Sequence, residues 1–354
     1  MIPHSRPTVI PELGPAVLRV VASGQHAGGA ERAAFEGELA RLCGVRHAVA
    51  VQSGSAALHL ALLVLGVPRG ARVLAPSYAC AALLNAIDAV GGVPLLADVE
   101  PASLAITAET ARAALAREGL AAAGASCAIV AHALGRPAPL ERWDLGVRVV
   151  EDAAMALGAT CAGRPAGARG TVAIASTYAT KMISTGQGGA LLTSDDALAA
   201  DARDRIQYDG REAWRASWNY PLSDLAAALG RPQLAALPGW VERRRAIAAR
   251  YQRAAERSGR AGPPDPPGSN AYRFLLRFAD PSERDAARRA FAARGIEAKN
   301  PVHRPLHRYL RLFDRDFPVT TEAWETGLSV PLYPSLEDAE VERIIAAIEE
   351  PVLA

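Results

Sequence analysis

Seven short, almost uninterrupted apolar runs set the tightest limit on how this 354-residue chain can fold: His47–Gln52, Arg72–Pro76, Val93–Ala97, Cys127–Ala131, Val147–Glu151, Val172–Thr177 and Gly189–Thr193. A strand that is apolar on both sides of its pleat must be covered on both faces, as in a parallel sheet between helices. The segments between the runs read as those helices, among them Ala56–Leu65, Ala79–Val90 and Thr107–Glu118. The expected fold class is therefore α/β, with a seven-stranded, mainly parallel sheet. Ligands of such sheets bind beyond the carboxyl ends of the strands. The residues that follow each run are thus the first candidates for function.

The pattern changes near residue 235. Leu237, Trp240, Val241, Ile247 and Tyr251 share one helical face, and the breaker-rich GRAGPPDPPGS follows at 259–269. A strand over Tyr272–Phe278, a helix over Pro281–Arg294, a β-like stretch over Ile296–Asn300 and a final helix carrying Val341, Ile344, Ile345 and Ile348 complete the chain. The expectation is a large domain with an N-terminal arm over 1–235 and a smaller C-terminal α+β domain over 236–354.

Composition excludes several classes of function. Charged residues make up 21% of the chain and the net charge is +2, which points to neither nucleic acid nor an anionic membrane as a partner. Cys43, Cys80, Cys127 and Cys161 are widely spaced with no C-x-x-C, so free thiols are expected and a zinc site is not. The apolar stretch 56–67 is too short to span a bilayer and contains His59. A cytoplasmic protein without metal or membrane is the expectation.

The basic residues are unevenly divided. Of 39 Lys and Arg, only Lys181 and Lys299 are lysines. Where only positive charge is wanted, arginine has replaced lysine, so a surviving lysine invites the reading that an amine is needed; arginine cannot supply one near neutral pH. Neither lysine follows a glycine, which excludes a P-loop.

Three loops at strand ends combine chemically useful residues. Gln52-Ser53-Gly54-Ser55-Ala56-Ala57 opens a helix with small residues, which suits a phosphate at the helix N-terminus or a plain serine cap. Glu151-Asp152 ends an apolar strand, either as one exposed acid and one cap or as a carboxylate facing a cationic ligand. Ser176-Thr177-Tyr178-Ala179-Thr180-Lys181 precedes the glycine-rich 186–189. A phosphate cup, an acid after a middle strand and a lysine 29 positions later match what pyridoxal phosphate needs: a Schiff-base amine and a partner for the pyridinium nitrogen.

With these residues, and with "VLAPSYACAALLNAI", "HALGRPAPLERW", "VVEDAAMALGA", "STYATKMISTGQGGALLTSDD" and "WNYPLSDLAAALGRPQL", the chain resembles the DegT/DnrJ/StrS family of pyridoxal-phosphate-dependent sugar aminotransferases, of fold type I, over nearly its whole length. The resemblance implies roles. Lys181 would hold the cofactor and shuttle protons, and Asp152 would pair with the pyridinium nitrogen. Ser55, Ala56 and the Ser176 hydroxyl would hold the phosphate. Asn219 would reach the phosphate of a neighbouring subunit, which implies a homodimer with shared active sites. The reaction implied moves an amino group from an amino-acid donor, glutamate or glutamine, to a keto-sugar acceptor, nucleotide-linked, in natural-product or cell-surface glycan biosynthesis.

The chain departs from the family pattern at several places. Cys80 stands where an aromatic ring usually stacks on the cofactor, with Tyr78 as a nearby substitute. Met155 replaces a glutamine, Gln187 a glutamate and Pro221 an arginine, and 301–307 reads PVHRPLH where H-Y-P is frequent. These changes leave a divergent dehydratase or a non-catalytic homologue as alternatives; family dehydratases carry histidine in place of the lysine, so Lys181 speaks against the first. Lys299 reads as a solvated lysine, with contact to an anionic substrate group as the alternative. His303 and His307 read as surface or dimer-contact residues.

Overall fold

All seven apolar runs enter one sheet of the computed structural model, which describes residues 1–210 and 212–350. The strands are β1 (His47–Val51), β2 (Arg72–Pro76), β3 (Val93–Ala97), β4 (Ala125–Ala131), β5 (Val149–Asp152), β8 (Val172–Ser176) and β9 (Gly189–Thr193). They lie in the order β1-β9-β8-β5-β4-β2-β3. A two-residue hairpin, β6 (Thr160–Cys161) and β7 (Arg164–Pro165), interrupts the chain order. The sheet is parallel from β3 to β8, but β9 runs antiparallel to both β8 and β1. The reason lies in the connection. Residues 177–188 join β8 to β9 without a helix, and a parallel crossover needs about a dozen residues that usually form one. The loop that carries Lys181 is therefore a tight return.

Helices cover both faces. They are α1 (Leu13–Ser23), α2 (Ala30–Cys43), α3 (Gly54–Val64), α4 (Ala82–Ala89), α5 (Ala108–Arg117), α6 (Asp196–Arg205) and α7 (Asp224–Arg257). The first turn of α3 is fixed by Ser53, whose side chain accepts from the Ala56 N–H at 3.0 Å. Leu58, Leu60 and Leu62 of α3 pack with Val49, Val73, Ile129, Ile174 and Leu191 of the sheet on one face. Phe35 and Leu39 of α2 and Leu234 and Leu237 of α7 pack with Ala48, Ala173 and Leu192 on the other. Burying one such leucine stabilises by about 1.5–3 kcal/mol, so this two-sided cover holds α3 firmly beneath the strand ends.

Helix α7 runs through residue 235 without a break. Its second half contributes Ile247 and Tyr251 to a separate core with β10 (Phe274–Arg277), α8 (Pro281–Ala293), β11 (Gly327–Val330) and α11 (Asp338–Glu349). Two further helices, α9 (Leu306–Tyr309) and α10 (Pro318–Thr326), lie between α8 and β11. The amino terminus joins this second core. Ile2, which the sequence reading groups with 1–235, is buried among its residues, and its N–H donates to the Gly295 carbonyl at 2.7 Å. Among the described residues no helix is long and apolar enough to cross a membrane.

Candidate active site

The strand ends converge as the parallel topology requires. Asp152 ends β5, Tyr78 and Cys80 follow β2, His132 follows β4 and Lys181 follows β8. All five line one cavity of about 110 Å³. Leu134, Met155, Pro301 and His303 line both this cavity and a cleft of about 700 Å³, so the two adjoin. The cleft also presents His4, Tyr272, Arg273 and Lys299.

The two acids at the end of β5 have opposite tasks because successive residues of a strand face opposite sides. Glu151 is fully buried and accepts from the N–H groups of Gly167 (2.6 Å), Arg169 (2.8 Å) and Gly170 (2.9 Å). It also accepts from His132 Nε2 at 2.7 Å. The Ala138 N–H donates to His132 Nδ1 at 2.9 Å, which places the imidazole hydrogen on Nε2. Burial works against the Glu151 carboxylate, but His132 and the backbone donors outweigh it and hold its pKa below the usual range. Among the described residues the Asp152 carboxylate accepts one hydrogen bond, from the Ala154 N–H at 2.9 Å. Burial pushes its pKa up, against the pull of Ala154, Lys181 and His132.

Lys181 lies over the Tyr272 ring, its Nζ 5.6 Å from the centroid. Tyr272 donates to the Thr180 carbonyl at 3.1 Å, fixing the ring beside the loop that carries the lysine. Burial raises the Tyr272 hydroxyl pKa, but Lys181 and Arg273 outweigh it and the net shift is downward. Asn270 sets this arrangement from behind: its amide donates to the carbonyls of Met155 (3.0 Å) and Leu157 (2.9 Å), and its carbonyl accepts from the Tyr272 N–H at 3.0 Å.

The helix start read in the sequence as a candidate phosphate cup has this form. The Ala56 N–H is committed to Ser53, whereas the N–H groups of Gly54 and Ser55 have no protein acceptor among the described residues. Ser55 is exposed at the helix start, and buried Ser176 packs against Gly54. A Cβ on Gly54 would stand 2.8 Å from Ser176 Cβ, and one on Gly189 would stand 2.6 Å from the Gly54 nitrogen. The two glycines let the α3 N-terminus, β8 and β9 close on one point. A helix N-terminus with free N–H groups there is suited to an anion.

Other sequence-selected residues fall as follows. Cys80 is exposed to the cavity, with burial and Asp152 raising its thiol pKa, and Tyr78 beside it is 1% exposed, its hydroxyl without a partner among the described residues. Asn219 is exposed and outside this cavity; the neighbouring Tyr220 carbonyl accepts from the Gln52 N–H at 2.7 Å. Lys299 Nζ pairs with Glu297 at 2.7 Å on the cleft wall. His307 corrects the sequence reading: it is fully buried, bonded to Ser77 Oγ (2.6 Å) and Asp314 (2.8 Å), and stacked on Phe317. Apolar Leu306 and Phe317 around it draw the ring inward. The sequence reading named Glu151 beside Asp152, as an exposed acid, a cap or a ligand-facing carboxylate, whereas it is buried; His132, Asn270, Tyr272 and Arg273 were passed over as site residues. The one available signal was His132 inside the HALG segment.

Comparison with known proteins identifies the family. The family model described as DegT/DnrJ/EryC1/StrS aminotransferase family matches residues 8–349. The chain is 30% identical over 338 residues to GDP-perosamine synthase of Caulobacter vibrioides, covering 89% of this chain and 88% of that protein. It superposes on the aminotransferase TlmJ from Streptoalloteichus hindustanus with a TM-score of 0.88 and 32% identity, covering 99% and 98% of the two chains. It superposes on DesV of S. venezuelae with a TM-score of 0.87 and 31% identity, covering 96% and 93%.

Proposed function

The chain belongs to the DegT/DnrJ/EryC1/StrS aminotransferase family, and from that premise we propose that it moves an amino group from glutamate or glutamine to the carbonyl carbon of a nucleotide-linked keto-sugar. The family is pyridoxal-phosphate dependent. One observation carries the reading for this chain: Lys181 and Asp152 line the same cavity, and burial has left the acid without a full set of partners.

These residues fit the cofactor. Lys181 would hold its aldehyde carbon, Asp152 its ring nitrogen, and the N–H groups of Gly54 and Ser55 with Ser176 its phosphate. When bound, the cofactor supplies an electron sink for breaking a C–H bond next to nitrogen. The protein supplies the proton movements. Lys181 Nζ would take the proton from the donor's α-carbon and deliver it to the carbon on the far side of the donor nitrogen. Asp152, ionised against a cation, would keep a proton on the ring nitrogen. The hydrogen bond from His132 to Glu151 fixes the imidazole that walls this side of the cavity.

The acceptor rests on similarity and on space. The curated relative is a GDP-perosamine synthase, and the cleft beside the cavity is large and cationic enough for a substrate with an anionic tail. A homodimer with shared sites is part of the proposal, because Asn219 is exposed and away from its own chain's cavity. The test is the first half-reaction. With L-glutamate or L-glutamine, the visible band of the purified protein should disappear and the matching keto acid should form. A band that persists with every amino acid would overturn the proposal.

A further inference from the structure

The buried arginines divide into two kinds. Arg244 donates to the carbonyls of Leu332 (2.6 Å) and Tyr272 (3.3 Å). Arg260 donates to the carbonyls of Ile348 (2.6 Å) and Glu350 (2.7 Å). Arg136 donates to the carbonyls of Ala102 (2.8 Å) and Pro263 (2.6 Å) and pairs with Asp265 at 3.1 Å. Each ties backbone segments together and has a structural task.

Arg273 does not. It is 9% exposed, yet among the described residues its side chain makes one hydrogen bond, from Nη2 to the Tyr272 hydroxyl at 3.2 Å. No carboxylate pairs with it, and Nη1 has no partner. A guanidinium has five N–H donors, and a buried charge without a counter-ion is costly. Its neighbours register the excess. Burial first, then Arg273 and Lys299, lower the His4 pKa to about 3. Burial first, then Arg273, lower the Arg244 pKa to about 9.

The position of Arg273 explains what would balance it. It lines the cleft that adjoins the Lys181 cavity. Its Cζ stands 4.3 Å from the Tyr272 centroid, the same ring over which Lys181 lies. We infer that Arg273 is the specificity-determining cation that receives an oxyanion of the substrate, a carboxylate of the donor or a phosphate of the acceptor. This rests on the reading of the cavity as the reaction site. His4, Lys299, Arg284 and Arg288 line the same cleft, but Lys299 has Glu297 as its partner and Arg284 and Arg288 share Asp285, so among the described residues the cation with no carboxylate partner is Arg273.

The test is calorimetric titration of the cofactor-loaded protein with two probes, glutarate and inorganic pyrophosphate, for the wild type, Arg273→Gln and Arg273→Lys. Arg273→Gln should weaken one probe by about ten- to a hundredfold, the range for a charge-assisted hydrogen bond. Arg273→Lys should weaken it less, since lysine keeps the charge and loses the fork. A loss confined to glutarate assigns the donor's carboxylate, and one confined to pyrophosphate assigns the acceptor's phosphate. Unchanged binding of both probes in the variants overturns the inference, as does a wild type that binds neither. If Arg273→Gln loses its cofactor band or melting transition, Arg273→Lys alone decides, and unchanged affinity there overturns it. Binding is read without turnover, so failure of the transamination reading shows separately, as a wild type that binds a probe but never converts glutamate.

Discussion

Glu151 and Asp152 are adjacent carboxylates whose pKa values are pushed in opposite directions, and that divergence separates scaffold from chemistry. Glu151 is depressed, so its contribution to stability is present above the ordinary carboxyl pKa and is lost as pH falls through its lower folded value. Glu151→Gln should cost about 1–3 kcal/mol or more, because an amide nitrogen cannot accept and leaves a buried N–H donor without its partner. Its acid unfolding should begin at higher pH than that of the wild type, as followed by circular dichroism. Asp152 is raised, so the folded free protein is favoured below the ordinary carboxyl pKa and loses that advantage as pH rises through the higher folded value. Asp152→Asn should therefore raise the melting temperature of the cofactor-free protein at neutral pH while weakening cofactor binding by about tenfold or more, ~1.4 kcal/mol. A variant that both melts earlier and keeps full cofactor affinity would reverse the assignment of Asp152.

At the scale of elements, the site depends on how closely β8, β9 and α3 approach. Around Gly189 the nearest atoms to an added Cβ are all backbone: Gly54 N at 2.6 Å, Ala175 O at 2.7 Å and Ser53 C at 2.7 Å. None can swing away, so Gly189→Ala should cost about 1–3 kcal/mol and loosen cofactor retention together. Gly239 lies inside helix α7 with nothing within 4 Å. There the same substitution should stabilise by about 0.5–1 kcal/mol, because glycine has the higher entropy cost in a helix. Chemical denaturation of both variants checks the contrast.

The strands were legible because double-sided burial writes a continuous apolar run, and all seven runs are strands within a residue or two at most ends. The direction of β9 was not, since an apolar run carries no polarity of its own; only the helix-free connection 177–188 held that information. The early start of α7 at Asp224 was hidden by Pro232 and Pro238, which read as breakers although the helix continues through both. Within the site, Lys181 and Asp152 stood out because a lysine is rare in this chain and an acid is out of place on an apolar strand. Asn270, Tyr272 and Arg273 did not, because their meaning comes from a long-range meeting with the 132–136 and 155–157 turns.

Over the whole molecule, the cavity that Lys181 lines lies between the strand ends of the sheet and the chain segment that leads from Asn300 towards α9. Pro301, Val302 and His303 wall the cavity from that side. A few residues on, His307 fastens the chain to Ser77, immediately before Tyr78 and Cys80 on the opposite wall. The amino-terminal arm contributes His4 to the adjoining cleft. The central claim is that this enclosure holds the cofactor on one amine, and the composition makes the claim unusually easy to check. The chain has two lysines. Borohydride reduction of the coloured protein, followed by proteolysis and peptide mass analysis, should find the reduced cofactor on the peptide containing Lys181 and leave Lys299 unmodified. Label on Lys299, or on neither lysine, would contradict it.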